Sequence, residues 1–176
     1  MTASADPDLY YVPYDTFLSD LEAIACQLEA DSWKPDFLVG VGRGGLVPAA
    51  YLSHRTGITM LSVDHSSGDA AFADELLEKL AAKSREGCRI LIVDDINDSG
   101  STLEYLRQVL VGHGCCEPHI RVAVLINNLS SKARVEYAGT HIDRVRDKRW
   151  FVFPWEAVAP RENLFDDAAE VPERLA

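Results

Sequence analysis

The sequence contains few of the residues that define disulfide-rich or zinc-binding proteins. Its four cysteines form no CxxC pair, and none lies at zinc-finger spacing from a histidine. Isolated cysteines of this kind are typical of small buried hydrophobic residues and not of a disulfide framework. Because free thiols persist in reducing compartments, this cysteine usage predicts a cytoplasmic protein.

Long apolar runs are absent as well. No stretch of the sequence approaches the roughly 18 consecutive apolar residues that a membrane-spanning helix requires. The segment 1–6 has no signal-peptide pattern. We therefore expect no membrane association.

Basic residues are scarce relative to acidic ones. The chain has 17 Lys and Arg residues against 28 Asp and Glu residues, which gives a formal net charge of −11 and a sequence pI near 4.8. A general nucleic-acid-binding protein carries a basic face, so this charge balance argues against nucleic acid as a partner. A local basic site for an anionic small molecule is compatible with it.

Length and composition indicate a single domain. With 176 residues, 47% of them hydrophobic, the chain is long enough to bury a sizeable core. Residues 1–12 are predicted to form a loose N-terminal arm, and residues 157–176 are predicted to form an acidic, poorly packed tail.

Apolar runs that are typical of strands alternate with segments of helical spacing. Strands are predicted over 37–41, 58–63, 88–93 and 120–126. Helices are predicted over 13–31, 46–56, 74–83 and 102–112, and a hairpin-like or irregular region leads to a short apolar run at 150–153. This alternation predicts an α/β fold with a mainly parallel central sheet flanked by helices. Ligands of such sheets bind at the carboxyl ends of the strands.

The most informative stretch of the chain is residues 90–102. Four apolar residues, 90–93, predict a buried strand that stops on Asp94 and Asp95, two carboxylates that an apolar core cannot hold without partners. A polar loop, residues 98–102, follows and opens a helix. The acids can bind a sugar diol or a hydrated metal ion, and the loop N–H groups and hydroxyls can bind a phosphate. The stretch therefore predicts a site for a polyol phosphate.

Other phosphate-binding patterns fit the sequence less well. A response-regulator receiver domain needs a phosphoacceptor Asp after a later strand, but strand 120–126 is followed by Asn127 and Asn128. The P-loop pattern GxxxxGK[ST] does not occur. Residues 40–45 match GxGxxG by letter, and Asp64 lies at the distance that a Rossmann fold requires, so spacing alone does not exclude that fold.

Residues 90–102 resemble the phosphoribosyl-pyrophosphate (PRPP) motif of type I phosphoribosyltransferases, which has four apolar residues, two acids, two variable residues and then D-T/S-G-x-T. Residues 41–49 resemble the pyrophosphate loop of the xanthine-guanine branch of that family, and residues 150–156 resemble its base-binding hood. The resemblance implies a single type I phosphoribosyltransferase domain over residues 1–176, with a small hood region contributed by residues 127–156.

The resemblance also implies an activity. In this family a nitrogen of a base displaces pyrophosphate from C1 of PRPP with Mg²⁺ as cofactor, and the xanthine-guanine branch uses hypoxanthine, guanine or xanthine. The substrates would be PRPP and a nucleobase, and the protein would form a homodimer or a higher homo-oligomer. Two alternatives stay open: a different acceptor base, or a non-catalytic regulator that senses PRPP or nucleotides with the same fold.

Matched residue by residue, the resemblance assigns the donor site. Asp94 and Asp95 correspond to the acids that bind the ribose diol, and Asp95 also contacts the magnesium shell. The residues that would cradle the 5′-phosphate are Ser99, Gly100, Ser101 and Thr102. Arg43 and Gly44 would bind pyrophosphate, at a position where the family often has a non-proline cis peptide bond. Residues 64–74 would form a mobile lid.

Further assignments concern the acceptor base. Asp98 would be the acid/base beside the purine imidazole ring, although Asp is also favoured as a helix N-cap. Trp150 would stack on the base while the Phe151 backbone reads its edge. Glu156 would hold a second Mg²⁺ through water or simply be exposed, and Trp155 is predicted to be an ordinary core aromatic residue.

The sequence departs from the xanthine-guanine pattern at Asn127 and Asn128, where that pattern has Lys-Pro. The lysine of the pattern donates to the purine 6-oxo group. Asn127 is predicted to bind the base in its place, because its amide still donates, but it is uncharged and shorter. Lys132 or Arg134 would compensate if the following loop folds back.

Overall fold

The computed structural model describes residues 6–63 and 70–169. Its strands are β1 Leu9–Tyr11, β2 Phe37–Val41, β3 Thr59–Val63, β4 Ile90–Asn97, β5 Ile120–Asn128, β6 Tyr137–Ile142 and β7 Trp150–Val152. Its helices are α1 Tyr14–Ala30, α2 Gly42–Thr56, α3 Ala70–Arg85, α4 Ser101–Gly112 and α5 Arg161–Ala169, with a 3₁₀ turn at Glu117–His119.

Five strands form a parallel sheet in the order β3-β2-β4-β5-β6. The central strand β4 has its first four residues, 90–93, buried on both faces of the sheet. A parallel strand that is covered on both sides has apolar residues at consecutive positions, and this run identifies the strand in the sequence. The predicted α/β fold with a mainly parallel sheet flanked by helices is confirmed.

The two faces of the sheet are covered by different helix pairs. Phe17 and Leu21 of α1, with Leu52 of α2, pack against the face that carries Leu91 and Val93. On the opposite face, the helices α3 and α4 pack against Ile90 and Ile92 of β4. The helix residues on this face include Leu77, Leu80, Leu103 and Leu106. Because side chains alternate along a strand, one apolar run supplies both cores.

A second, two-stranded sheet joins the N-terminal segment to the region after the central sheet. Strand β1 pairs in parallel with β7, with Leu9 opposite Trp150, and the Val12 N–H donates to the Val152 carbonyl at 2.9 Å. The prediction of a loose arm over 1–12 is therefore wrong for residues 9–12, because main-chain hydrogen bonds to β7 hold them. Residues 1–5 lie outside the described part of the chain.

The region after β5 is also more regular than the sequence pattern predicts. The hairpin-like interpretation is wrong, because β6 runs parallel to β5 and residues 129–136 carry the chain back along the sheet. The small and polar residues of this edge strand, such as Gly139 and Thr140, do not produce an apolar run.

The prediction of a poorly packed tail over 157–176 is wrong for the helix α5. Its Leu164 and Ala168 side chains are buried. Only two buried side chains in a short acidic segment produce too weak a pattern to indicate a helix from sequence. Residues 170–176 lie outside the described part of the chain.

Several boundaries differ from the predicted ones. Helix α2 begins at Gly42, so the predicted glycine loop forms its first turn, and β4 continues through both acids to Asn97. Of the predicted lid over 64–74, residues 64–69 lie outside the described residues, and the rest belong to α3. None of the helices in the described ranges combines the length and the apolar composition needed to cross a membrane.

Candidate active site

A cavity of about 540 Å³ lies at the carboxyl ends of β2 and β4. Three stretches form most of its lining, namely residues 41–44, residues 94–103 and residues 155–159 without Ala157, and Leu164 and Asp167 of α5 complete it. Its position is the one at which α/β sheets bind their ligands. The predicted residues in the lining are Arg43, Gly44, Asp94, Asp95, Asp98, Ser99, Gly100, Ser101, Thr102 and Glu156.

One wall of this cavity concentrates acidic side chains. Asp94 is only 9% exposed, and burial raises its pKa to about 7. The pKa of Asp95 is raised well above its ordinary value, first by burial and then by the charges of Asp94 and Glu156. Burial also raises the pKa of Glu156, and the charge of Asp167 adds to that effect. Crowded acids of this kind favour a ligand that brings hydroxyl donors or a cation.

The first turn of α2 packs directly on this wall. A Cβ atom at Gly44 would overlap the carboxylate of Asp95, and one at Gly45 would overlap the main-chain carbonyl oxygen of Val93. Glycine at position 45 therefore allows the helix to approach β4 this closely, and glycine at position 44 leaves room for the Asp95 carboxylate. The neighbouring Arg43 is exposed at the cavity, and its charge opposes the rise in the pKa of Glu156. Within the described ranges every peptide bond is trans, including the one between Arg43 and Gly44.

The loop after β4 leads into the N-terminus of α4. Gly100 has a φ of +88°, and a Cβ atom there would lie 2.6 Å from the Ala133 nitrogen. The Ser99 and Ser101 hydroxyls lie 2.8 Å apart, and the Ser99 hydroxyl also accepts the Ser101 N–H at 3.2 Å. The Lys132 N–H donates to the Ser99 carbonyl at 3.3 Å. Hydroxyls and a helix N-terminus therefore face the cavity in a form suited to an anion.

Asp98 forms a bidentate ion pair that the sequence did not reveal. Arg144 donates from Nε to Oδ1 at 2.8 Å and from Nη2 to Oδ2 at 2.7 Å. The Asp98 side chain does not cap α4, since the residue before that helix is Gly100 and makes no side-chain cap. Arg144 is one of several basic residues between 144 and 149, and no sequence signal distinguishes it from its neighbours.

Asn127 is tied into a buried amide network next to this loop. Asn97 is 1% exposed, and its Nδ2 donates to Asn127 Oδ1 at 2.8 Å and to the Ala133 carbonyl at 3.1 Å. Ser131 in turn donates to Asn97 Oδ1 at 2.7 Å. Asn97 occupies a variable position of the predicted motif, so sequence reasoning passed over it.

The predicted base-binding residues lie beside the cavity and are not part of its lining. Trp150 and Phe151 belong to β7, and Asn127 ends β5. Phe151 is buried, with Tyr10 packed edge-on at 5.6 Å and the guanidinium of Arg144 5.1 Å from its ring centre.

Trp155 has a larger role in the site than predicted. It stacks on Phe153 at 5.0 Å and contacts Phe17 edge-on at 5.5 Å, as a core residue would, but it also lines the cavity. Its neighbour Glu156 accepts the Phe153 N–H at 2.9 Å, which fixes the turn that brings both residues to the cavity.

Fold and site together define an α/β protein with a polar cavity, suited to a sugar phosphate, at the carboxyl edge of a parallel sheet. The model of the phosphoribosyl transferase domain family matches residues 13–159. The chain belongs to this phosphoribosyl transferase domain family.

Several known proteins similar to the chain are purine phosphoribosyltransferases. It is 30% identical over 156 residues to the xanthine-guanine phosphoribosyltransferase of Cereibacter sphaeroides, covering 84% of this chain and 86% of that enzyme. A purine phosphoribosyltransferase from Pyrococcus horikoshii has 27% identity and a TM-score of 0.62, covering 87% of this chain and 97% of its own. The xanthine-guanine-hypoxanthine phosphoribosyltransferase of Helicobacter pylori has 25% identity and a TM-score of 0.62. The match covers 84% of this chain and 92% of that enzyme. The predicted resemblance to purine phosphoribosyltransferases is confirmed.

Proposed function

We propose that the protein transfers the 5-phosphoribosyl group of PRPP to a purine base and releases pyrophosphate, with hypoxanthine, guanine and xanthine as the acceptors. The observation that carries this proposal is that the acids of β4, Asp94 and Asp95, and the hydroxyl-rich loop before α4 line the same cavity. A ribose 5-phosphate needs carboxylates that accept hydrogen bonds from its hydroxyls and, in the same cavity, donors that bind its phosphate. The similarity to purine phosphoribosyltransferases supports the same reaction.

The donor is held from three sides in this proposal. Asp94 and Asp95 accept hydrogen bonds from the two ribose hydroxyls. The 5′-phosphate binds to the N-terminus of α4 and to the groups of residues 99–102. Arg43 and the backbone of Gly44 bind the pyrophosphate.

Magnesium fits this site as an ion that the substrate helps to hold. Among the residues that the structure describes, no cluster of three or more His, Cys, Asp or Glu side chains could hold a metal. Mg²⁺ usually binds through one or two carboxylates together with substrate phosphates and water. Asp95 and Glu156 are the carboxylates that we propose for this role, because they interact through their charges at the cavity. The bound ion would neutralise the pyrophosphate leaving group.

The reaction then depends on positioning and on one proton. A ring nitrogen of the base forms the new bond to C1, while the bond from C1 to the pyrophosphate oxygen breaks and its electron pair leaves with pyrophosphate. The proton of that nitrogen passes to the Asp98 carboxylate, directly or through water. The protein contributes mainly by holding the reacting atoms in line and by stabilising charge.

The proposed base site includes Asn127, where the sequence departs from the xanthine-guanine pattern. Trp150 stacks on the base and the Phe151 backbone reads its edge. Asn127 uses its Oδ1 toward Asn97, which directs the donating Nδ2 group away from that bond. This Nδ2 group is our candidate donor to the 6-oxo oxygen, in place of a lysine. A neutral donor is expected to discriminate less strongly among bases than a charged one.

A base panel tests the proposed function. The protein is incubated with PRPP, Mg²⁺ and single purines or pyrimidines, and both pyrophosphate and the nucleoside monophosphate are measured. We expect turnover with at least one 6-oxopurine. Turnover only with bases other than 6-oxopurines would show that the acceptor belongs to another class of base. PRPP binding without turnover of any base would identify a regulator and overturn the proposed reaction.

The role of Asp98 is tested by Asp98→Asn. We expect kcat to fall by about 10²–10⁴-fold, the usual span for a general acid or base, because an amide cannot accept the proton. PRPP affinity, measured by calorimetry, should stay close to that of the unaltered protein. The matched control is Asp143→Asn, which removes an acid from the surface of the hood region near Arg146. Equal activity of both variants would contradict the assignment.

Assembly and location are also proposed from the family. We propose a homodimer or a higher homo-oligomer in the cytoplasm, and the four cysteines of the chain, which are all free thiols, fit a reducing compartment. Light scattering after size-exclusion chromatography measures the mass. A 19.4 kDa particle would exclude the dimer.

A further inference from the structure

Arg144 is a buried arginine at the boundary between the donor loop and the hood region. Only 3% of its surface is exposed. Besides its two bonds to Asp98, its Nη1 donates to the Asp147 carbonyl at 3.2 Å and to the Arg149 carbonyl at 2.6 Å. Its guanidinium also lies over the ring of Phe151. The Arg144 guanidinium is thus held in place by two main-chain carbonyls, a carboxylate and an aromatic ring.

The main chains around this ion pair are fixed as well. Asn128 donates from Nδ2 to the Asp98 carbonyl at 3.0 Å, and its Oδ1 accepts the Arg144 N–H at 3.3 Å. One buried amide therefore bridges the backbones of both partners. The separation between the Asp98 carboxylate and the Arg144 guanidinium is determined by the fold and not by flexible side chains alone.

Such a pair is not explained by stability. Removing two charged groups from water costs free energy that their attraction only partly returns, so a buried ion pair is often no better than two apolar residues. Bidentate pairing with a guanidinium does, however, fix a carboxylate in one plane and orientation. A carboxylate that faces reacting atoms benefits from that orientation.

The contacts of Arg144 also join the two halves of the site. Asp98 follows β4 and lines the cavity, whereas Asp147 and Arg149 lead directly into β7 with Trp150. A shift of either half would have to break a hydrogen bond from Arg144, either to the Asp98 carboxylate or to a main-chain carbonyl. Each Asp98 oxygen accepts one N–H from Arg144, and each keeps a second lone pair for the base.

We propose that Arg144 is a positioning residue for phosphoribosyl transfer, which rests on the function proposed above. It holds the Asp98 carboxylate toward the N–H of the incoming base and keeps the base-binding strand β7 in register with the donor loop. Arg144 acts through Asp98, so its contribution disappears when Asp98 cannot take up a proton.

A double-mutant cycle tests this inference. Arg144→Lys and Arg144→Gln are made alone and together with Asp98→Asn. Lysine keeps the charge but lacks the two-pronged geometry. Arg146→Gln is the control, since it removes an exposed arginine of the same loop that pairs with Asp143. The readouts are kcat and KM for the base, PRPP–Mg²⁺ affinity by calorimetry and thermal unfolding by circular dichroism.

We expect both single Arg144 variants to lose about 10²-fold in kcat, the effect of a small misplacement of a reacting group. Their PRPP affinity should be unchanged, and lysine should not rescue the rate. In the Asp98→Asn background, Arg144→Gln should cause no further loss.

The inference fails if folded Arg144 variants keep a normal kcat, if the losses in the two backgrounds are equal, or if PRPP affinity falls in parallel. It also fails if all Arg144 variants, including the double variant without either charge, are unfolded, because Arg144 then serves folding alone. An unaltered protein that transfers no phosphoribosyl group overturns the proposed function instead.

Discussion

Individual acidic residues of this protein lie in contrasting environments. Asp31 accepts bonds from the Trp33 N–H, from Arg121 and from Tyr137, and these bonds lower its pKa to about 2. Burial has the opposite effect on Asp20, whose pKa is raised although the Thr140 hydroxyl donates to it at 2.7 Å. The charged form of the carboxylate is therefore stabilised at Asp31 and destabilised at Asp20.

Asp20→Asn is predicted to stabilise the protein at neutral pH. The folded protein holds the Asp20 proton more tightly than the unfolded chain, so the free energy of unfolding falls as pH rises above about 4, the pKa of an unfolded Asp. Asparagine keeps the oxygen that accepts the Thr140 hydroxyl and carries no charge. Thermal melts from pH 3 to 8 should show a higher Tm for the variant at pH 7 and convergence at the acidic end. Parallel curves would contradict this account.

Two elements meet at the acidic wall of the cavity. Helix α2 begins immediately after β2 and packs its first turn on the end of β4. Glycine at position 45 permits that approach, and glycine at position 44 leaves room for the Asp95 carboxylate. Strand β4 extends far enough to carry Asp95 to the same point. The geometry of the site therefore depends on where a helix begins and a strand ends.

Gly44→Ala is predicted to weaken PRPP binding by at least about tenfold, which corresponds to about 1.4 kcal/mol. The added methyl group overlaps the Asp95 carboxylate and displaces it from the cavity. Gly112→Ala is the control, because a Cβ atom at that position of α4 meets nothing within 4 Å. Calorimetric titration with PRPP and Mg²⁺ compares the two. Equal affinities would show that Asp95 is not needed in its present position.

At the scale of the whole molecule, distant parts of the chain meet at β7, the strand that is proposed to bind the base. Strand β1 near the start of the chain pairs with β7, and α5 brings Leu164 and Asp167 to the cavity. The segments before and after the central sheet therefore shape the site, although neither belongs to the predicted motif. A change in β1 is expected to affect the base site through β7.

Tyr10→Ala is predicted to raise KM for the base severalfold and to lower the Tm. Tyr10 packs edge-on against Phe151, and the Arg149 guanidinium lies 4.2 Å from its ring centre. Loss of a buried large side chain costs about 3–5 kcal/mol at most and less at a half-buried position such as this one. Tyr11→Ala is the control, since Tyr11 is 52% exposed on the next position of the same strand. If the two variants behave alike, β1 does not support the base site.

The sequence by itself determined strands β2 to β5 of the central sheet, the family and the residues of the proposed donor site. Strands β2, β4 and β5 lie inside the sheet, are mostly buried and read as apolar runs. The acids, glycine and hydroxyls of the PRPP motif are contiguous in the chain. Local spacing therefore contains the information that places Asp94, Asp95 and the loop 98–102 together.

Only the tertiary structure decided the arrangement around the base. Asp98 and Arg144 are 46 residues apart, and Leu9 pairs with Trp150 from almost the other end of the chain. Edge strands, short helices and single buried charges leave little periodicity in a sequence, because their partners come from distant segments. Local pattern therefore specified the residues of the proposed donor site, whereas long-range packing specified the surroundings of the proposed base site.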